Sequence, residues 1–245
     1  MFQFFTGEEV IGDTVTITGS DVNHIRNVLR MKPGDLIRVC DVAGNTYQAR
    51  IGSIDKDSVE ALVTDRELST NELATRVTLF QGLAKGEKME TIIQKAVELG
   101  VTEVVPVSMK NCVVKLDEKK AAKKVERYQA ISESAAKQSK RSVIPRVSPV
   151  MTFVDALTKA RSMDRILVPY EHASGMEDSR KAFESLRLNE SVGIFIGPEG
   201  GFDPAEITAL LMNKAEVFSL GSRILRTETA AICALSLVMY HLEVL

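Results

Sequence analysis

The 245-residue sequence contains no tryptophan, and it has only three cysteines and three histidines. Cys40, Cys112 and Cys233 lie far apart and form no CxxC pair, which excludes a disulfide framework and a thiolate metal site. The histidines are equally scattered, so we predict that the protein binds no metal. Three unpaired thiols are typical of a reducing cytoplasm, and we expect a cytoplasmic protein.

Long apolar runs are absent too. The longest stretch near the end, 230–240, is well short of the roughly 20 residues that a membrane span requires. The Met-Phe-Gln-Phe-Phe start has no basic region and no small-residue cleavage site, so it does not indicate a signal peptide. The composition, 44% hydrophobic and 26% charged, indicates a soluble protein of one large or two ordinary domains, without a membrane partner.

The net charge of −2 conceals a basic segment. Between Lys110 and Arg146 there are eleven Lys or Arg residues and four Asp or Glu residues, so the remainder of the chain is acidic. Such a localised positive field favours polyanionic partners.

The first seventy residues have the pattern of a small β-barrel with one helix. Three segments alternate apolar and polar residues, at 14–18, 36–40 and 47–51, and a helix is predicted at about 20–30 from a Ser or Asp cap. The polar, aperiodic segment 66–75 is interpreted as a linker. We therefore predict a first domain at 1–72 and a second at 73–245.

Strands and helices alternate in the second domain, which predicts a mostly parallel sheet covered on both faces. A helix with an apolar face is expected to end at Gly100, where a left-handed residue is favoured. Ligands of such sheets bind beyond the carboxyl ends of the strands. The other predicted elements are strands at 77–83, 101–107, 165–169, 192–196 and 216–220, and helices at 118–139, 152–161, 176–187 and from 228 onward.

A glycine-rich loop follows the apolar run 192–196. Asp203, Pro204 and Glu206 predict a capping box, so Gly197-Pro-Glu-Gly-Gly201 connects a strand to a helix. Its glycines would let a ligand contact bare backbone, although a tight turn without a ligand is the alternative. The phosphate-binding patterns GxxxxGK[ST] and GxGxxG are absent, and Glu199 would repel a phosphate. The loop therefore suits a ligand whose part in contact with the loop is uncharged or cationic.

A second loop, 219–230, follows the last predicted strand, with Thr227 as the predicted N-cap of the terminal helix. Two loops at the ends of neighbouring strands can form the two walls of one cleft.

These loops carry a specific resemblance. "IGPEGGF" (196–202) followed by "LGSRILRTETA" (220–230) resembles the SPOUT class of methyltransferases, which bind S-adenosylmethionine in a deep trefoil knot. With "HIRNVLRMKPGD" (24–35), "GLAKGEKMETIIQKAVELGV" (82–101) and "ESAAKQSKR" (133–141), the chain is similar to the RsmE family, ribosomal RNA small subunit methyltransferase E. The resemblance implies an α/β fold in which a small PUA-like β-barrel precedes a knotted domain, and it implies a homodimer.

By the same resemblance, backbone at the two loops and at the end of one further strand should hold S-adenosylmethionine, which carries a sulfonium and no phosphate. The cofactor-binding residues implied are Leu167, Ile196, Gly197, Pro198, Gly200, Gly201, Leu220, Gly221, Ile224, Leu225, Arg226, Thr229 and Ala230.

The family methylates uridine N3 in 16S rRNA, so a proton must leave N3 and the base must be unpaired or flipped out. We hypothesise that Arg226 orients the uracil or stabilises its negative charge, and that Glu199, Glu171 or Glu228 lies near the departing proton. The sequence does not choose among the three. Simpler roles are the alternative for three of these four residues: Glu228 could favour a helix amino terminus, Glu199 could be a solvated loop acid, and Arg226 could pair with an acid.

Contacts to the rRNA backbone are predicted from the basic segment and from the barrel, although a solvated helix surface is the alternative. The residues are Arg26, Arg30, Lys120, Lys124, Lys137, Lys140 and Arg141. Two rival functions stay open: a SPOUT enzyme acting on another nucleotide, such as a tRNA ribose, and an rRNA-binding assembly factor without catalysis. A nucleotide-dependent enzyme is poorly supported because the phosphate-loop lysine is missing.

Overall fold

The structure is a computed structural model that describes residues 1–68, 71–173 and 175–244. It divides into two compact units. The first unit comprises Met1–Glu72 and Ala136–Ile144, and the second comprises Leu73–Ala135 and Pro145–Leu245. Of the predicted linker, Arg66 and Glu67 belong to a strand, whereas Ser69 and Thr70 lie outside the described residues.

The first unit contains, within its described residues, a curled five-stranded sheet in the order β1-β3-β4-β5-β2. β1 runs parallel to β3, and the other neighbours are antiparallel. In β2 the threonines are exposed while Val15 and Ile17 are buried, which is the alternation expected of a strand with one face on a core. The elements are β1 (Phe2–Phe5), β2 (Thr14–Thr18), α1 (Ser20–Asn23), β3 (Leu36–Cys40), β4 (Thr46–Ile54) and β5 (Ser58–Glu67).

The predicted helix at 20–30 is wrong in two respects. α1 ends at Asn23 and is followed by a π-helical turn, His24–Val28, and Arg30 lies beyond it with a φ of 53°. The cap position is Gly19, which has no side chain to form a capping hydrogen bond, and the carboxylate of Asp21 accepts from Lys137. β1 and β5 were not predicted.

The second unit alternates strands and helices as predicted, which confirms the α/β class. Within the described residues its sheet has the order β12-β10-β11-β6-β7-β8, with β9 paired to β7, and every pair is parallel. The elements are β6 (Arg76–Gly82), α2 (Lys88–Glu98), β7 (Glu103–Ser108), α3 (Glu118–Gln138), β8 (Arg146–Val147), β9 (Met151–Thr152), α4 (Phe153–Ala160), β10 (Arg165–Pro169), α5 (Met176–Glu184), β11 (Ser191–Ile196), α6 (Pro204–Met212), β12 (Glu216–Phe218) and α7 (Thr227–Val244).

The central strands β6 and β11 are buried along most of their length, as expected of a parallel sheet whose two faces are covered by helices. Phe80 and Phe195 stack in this core with ring centroids 4.4 Å apart. Gly100 has a φ of 89° after α2, so the predicted left-handed helix end is confirmed. Since all strands are parallel, the loops after β6, β10, β11 and β12 open at the same, carboxyl edge of the sheet.

A candidate active site at the carboxyl edge of the sheet

The first glycine loop is fixed where it enters α6. The predicted capping box is confirmed: the Asp203 carboxylate accepts a hydrogen bond from the Ala205 amide, and Glu206 accepts one from the Asp203 amide at 2.9 Å. The other carboxylate oxygen of Glu206 accepts from the amide of Lys110 at 2.9 Å. The loop therefore ends against both its own helix and the segment after β7.

The same loop lies against bare backbone at the end of β6. A Cβ atom added at Gly82 would lie 2.6 Å from the amide nitrogen of Pro198, a distance that real Cβ atoms do not show. Gly201 has a φ of 69°, a left-handed conformation that only glycine adopts without strain. The loop geometry thus requires glycine at both positions.

Thr227 does not cap the terminal helix as predicted. α7 begins at Thr227 itself, and the Thr227 hydroxyl donates to the carbonyl of Gly197 at 2.7 Å and accepts from the side-chain Nε2 of Gln81 at 3.0 Å. The hydroxyl is therefore occupied by the first loop, and it joins the start of α7 to that loop and to β6.

A cavity of about 480 Å³ lies between the two loops. Leu167 is fully buried inside β10, and Leu167, Thr229 and Glu228 are not among the lining residues. The lining includes the other predicted residues, namely Glu171, Ile196, Gly197, Pro198, Glu199, Gly200, Gly201, Leu220, Gly221, Ile224, Leu225, Arg226 and Ala230. Pro169 and Tyr170, at the end of the strand expected to supply a third wall, line it as well, and so does Arg223. Lys88, Phe202 and Thr227 also line it, and they were not predicted as cavity residues.

Lys88 is the charged residue that sequence reasoning missed. Its ammonium lies 3.1 Å from Glu199 and 3.9 Å from Glu228, between two of the three predicted carboxylates. Lys88 lies in the "GLAKGEKME" segment, more than a hundred residues before these acids, and only the topology brings them together. A lysine within a family-like segment at the start of a helix was the available signal.

Glu199 is held from several sides. One carboxylate oxygen accepts hydrogen bonds from the amide of Lys85 at 2.9 Å and from the ammonium of Lys88. Partial burial acts to raise the pKa of Glu199, but the backbone hydrogen bonds and the Lys88 charge outweigh it, so the pKa is lowered. Glu199 is therefore ionised and hydrogen-bonded to Lys85 and Lys88. These bonds make it a poor proton acceptor, and they hold the loop in place.

The lowered pKa of Glu199 predicts a pH-dependent contribution to stability. Because the folded value lies below the unfolded value of about 4.3, the contribution is complete above that value and is lost as the pH falls through the folded value. We expect Glu199→Gln to melt about 1–3 °C below the unmodified protein at pH 7, and we expect this difference to shrink as the pH falls below about 4.3. Thermal unfolding followed by circular dichroism measures this, with Glu126→Gln on the exposed face of α3 as the control. A constant difference across this range would contradict the role.

The other two carboxylates differ from Glu199. Glu171 lines the cavity at the end of β10, and an ideal Cβ at Gly201 would lie 3.9 Å from its carboxylate. Its nearest ionic partner among the described residues is the exposed His172, 3.8 Å away. Glu228 lies in the first turn of α7, and one of its oxygens is buried without a hydrogen-bond partner among the described residues. Glu171 is thus the cavity carboxylate that stays available.

Arg226 and Arg223 both line the cavity and are exposed. Among the described residues neither forms an ion pair, so the alternative that Arg226 pairs with a neighbouring acid is not observed. Its guanidinium is free to meet a ligand.

The predicted RNA-contacting residues fall into two groups. Arg26, Arg30, Lys120 and Lys124 present exposed or half-buried side chains; Lys120 forms only an exposed pair with Asp117, and Lys124 lies over the Tyr128 ring.

The second group, Lys137, Lys140 and Arg141, is bound by other residues of the first unit. The Lys137 ammonium forms an ion pair with Asp21 at 2.7 Å, and the Lys140 ammonium donates a hydrogen bond to the carbonyl of Met1. Arg141 is only 2% exposed and its guanidinium is bound to Glu72. Arg141 is therefore excluded from the proposed contacts, because its side chain is buried in an ion pair.

Within the described ranges, no helix is both long and apolar enough to cross a bilayer. In the same ranges no cluster of three or more His, Cys, Asp or Glu side chains is arranged to hold a metal ion.

Comparison with known proteins defines the class. Residues 71–239 match the RNA methyltransferase domain family, and residues 17–64 match the RNA methyltransferase PUA domain family. The class is that of RNA methyltransferases with a PUA domain.

Relatives narrow this class. The chain is 42% identical to a ribosomal RNA small subunit methyltransferase E of Bacillus subtilis, over 95% of this chain and 92% of the relative. A solved structure of such an enzyme from Neisseria gonorrhoeae, bound to S-adenosyl methionine, is 33% identical with a TM-score of 0.85 and covers 96% of each chain. A Legionella pneumophila methyltransferase with bound cofactor SAM is 28% identical, with a TM-score of 0.86 over 98% of this chain and 97% of that one. The chain belongs to the ribosomal RNA small subunit methyltransferase E family, which confirms the resemblance seen in the sequence.

Proposed function

We propose that this protein transfers a methyl group from S-adenosylmethionine to N3 of a uridine in the 16S rRNA of the small ribosomal subunit. The observation that carries the proposal is the cavity between the two glycine loops, in a chain whose relatives are named for rRNA methylation and whose solved neighbours hold this cofactor.

The residues of the cavity fit the cofactor. About 480 Å³ is within the range of ligand pockets in proteins. Glu171 and Glu199 give part of the wall a negative charge that suits a cation, and the Lys88 ammonium beside the first loop is already engaged by Glu199. When bound, the cofactor supplies an electrophilic methyl carbon attached to a positively charged sulfur. Backbone at Ile196, Gly197 and Leu225 would hold its adenosine part.

Uridine N3 is not nucleophilic until its proton leaves, so the chain must supply an acceptor. Glu171 is the best candidate because it lines the cavity and has no lysine or amide bound to it among the described residues. A Glu171 carboxylate oxygen accepts the proton from N3, while Arg226 donates to a uracil oxygen as negative charge develops on the ring. Glu199 and Lys88 fix the position of the loop 197–201 and do not accept the N3 proton.

The basic face of α3 contributes to binding the rRNA backbone. We expect Lys120→Gln/Lys124→Gln to lower the affinity for 16S rRNA fragments about tenfold at low salt. The log–log salt slope should become shallower by about 1.4, since each phosphate contact on single-stranded RNA contributes about 0.7. Filter binding from 50 to 300 mM salt measures both. The control Lys181→Gln/Lys214→Gln removes the same charge elsewhere on the second unit. An equal loss of RNA affinity in this control would show that the effect comes from net charge and not from contacts of α3.

We also propose that the protein acts as a homodimer through α7. Leu235 and Val238 of this helix are buried in its own unit, whereas Leu237 and Tyr240 are 43% and 69% exposed. Apolar side chains exposed on one helix suit contact with a second copy.

The decisive experiment incubates the purified protein and methyl-labelled cofactor with intact small subunits and with naked 16S rRNA, followed by mass analysis of nucleosides. The expected product is 3-methyluridine. A ribose-methylated nucleoside would instead identify an enzyme acting on another position, and cofactor binding without methyl transfer would indicate an assembly factor.

A further inference from the structure

A second cavity, of about 420 Å³, lies at the opposite edge of the parallel sheet. We call it the amino-edge cavity, because it surrounds the first residues of β6, β7, β8 and β11. β6 spans seven residues, so about 20 Å of strand separates the two edges. A ligand in one cavity does not overlap a ligand in the other. Its lining is Arg76, Thr78, Thr102, Glu103, Arg146, Lys159, Ser162, Met163 and Ser191.

Strand register explains why charged residues converge there. Thr78 of β6 is aligned with Glu103 of β7, which is aligned with Arg146 of β8. Aligned residues of neighbouring strands point to the same face, and Arg76, two residues before Thr78, shares that face. Three neighbouring strands therefore place two guanidinium groups on either side of one carboxylate.

The carboxylate in the middle is already neutralised. Glu103 forms an ion pair with Lys159 of α4 and accepts a hydrogen bond from the Ser148 hydroxyl. The nearby Asp164 carboxylate accepts from the amide and the hydroxyl of Ser191, both at 2.7 Å. Both acids thus have hydrogen-bond partners other than the arginines, and Arg76 acts on Asp164 only through its charge.

The two arginines keep their donors free. Arg76 and Arg146 are exposed, and among the described residues neither side chain forms a hydrogen bond or an ion pair. The hydroxyl of Thr78, which is 6% exposed, is likewise without a partner there. Each guanidinium offers five N–H donors in a planar fork that matches phosphate oxygens in pairs. Met163 is the one apolar residue among the described residues of the lining, so the cavity does not suit an apolar ligand.

We propose that the amino-edge cavity binds a phosphate group, between the Arg76 and Arg146 guanidiniums and with a hydrogen bond from Thr78. The phosphate belongs either to the backbone of the RNA or to a small phosphorylated molecule. The site lies outside the methyl-transfer cavity and does not depend on the reaction proposed for that cavity.

The test uses the full chain and inorganic pyrophosphate as the probe. Calorimetry at low ionic strength should show pyrophosphate binding that Arg76→Gln/Arg146→Gln weakens at least about tenfold, since each lost guanidinium removes charge-assisted hydrogen bonds to the phosphate. Arg161→Gln/Arg180→Gln, which removes the same charge from exposed positions of the same unit, should leave binding unchanged. Gly82→Ala, which disturbs the other cavity, should leave it unchanged too.

A second experiment distinguishes the RNA backbone from a small molecule as the source of the phosphate. If the phosphate is that of RNA, the Arg76/Arg146 variant also shows a shallower salt slope for 16S rRNA fragments, by about 0.7 per lost contact. If it is a small molecule, pyrophosphate binding falls while RNA binding matches the control variant. The proposal is overturned if the unmodified protein does not bind pyrophosphate and the variant binds RNA like its control. Melting curves check folding, and Arg146→Gln alone serves if the double variant is unstable.

Discussion

Gly82→Ala is expected to weaken S-adenosylmethionine binding about 10- to 100-fold without unfolding the protein. The added methyl group would lie 2.6 Å from the Pro198 nitrogen and 2.8 Å from its Cδ. β6 cannot yield, because it is hydrogen-bonded between β11 and β7, so the loop 197–201 must move. Overpacking of this kind costs about 1–3 kcal/mol. The affinity is measured by calorimetry.

Gly7→Ala is the matched control, since a Cβ there has no atom within 4 Å. It should bind the cofactor like the unmodified protein. If Gly82→Ala also binds normally, the loop is not a wall of the cofactor site, and the proposed function loses its main support.

Glu171→Gln is expected to lower the single-turnover rate of methyl transfer about 100-fold at saturating cofactor, within the range usual for loss of a general base. The size of the side chain is kept, and saturating cofactor offsets any affinity that is lost with the negative charge of this wall. The difference in rate between the variant and the unmodified protein should shrink as the pH rises, since hydroxide then replaces the carboxylate in removing the N3 proton. The rate is measured by transfer of labelled methyl to small subunits.

Glu199→Gln and Glu228→Gln complete this experiment. Glu199 is bound by Lys85 and Lys88, and Glu228 does not line the cavity, so each variant should lose less than about tenfold in rate. A larger loss in either one than in Glu171→Gln would transfer the proposed role to that carboxylate. A deficit of Glu171→Gln that stays constant with pH would leave Glu171 as a structural residue.

The sequence predicted what short-range patterns determine. The capping box at Asp203, the left-handed end at Gly100 and the alternation of strands and helices each depend on residues only a few positions apart. The closeness of the two glycine loops was inferred from the strands that precede them and then from the resemblance to a family, whereas the order of the strands was not predicted.

Long-range contacts were not predictable in this way. Thr227 has the features of an N-cap, but the carbonyl of Gly197, thirty residues away, takes its hydroxyl. Lys88 reaches its carboxylates only through the topology of the sheet. Arg141 stands in a basic segment and was therefore interpreted as exposed, yet Glu72 pairs with it in the interior of the first unit. Charge patterns indicate partners, but they do not show whether a partner lies inside the protein.

The pairing of Asp21 with Lys137 and of Glu72 with Arg141 has a consequence for how this chain can be divided. Residues 136–144 interrupt the sequence of the second unit but complete the first, and a fragment that stops at residue 72 would retain both acids without their cations. Removing one partner of a buried ion pair costs about 3–5 kcal/mol, a large share of the stability of a small domain. The first unit is thus discontinuous in the amino-acid sequence, and grafting it onto another protein would require the nine residues 136–144 as a second piece.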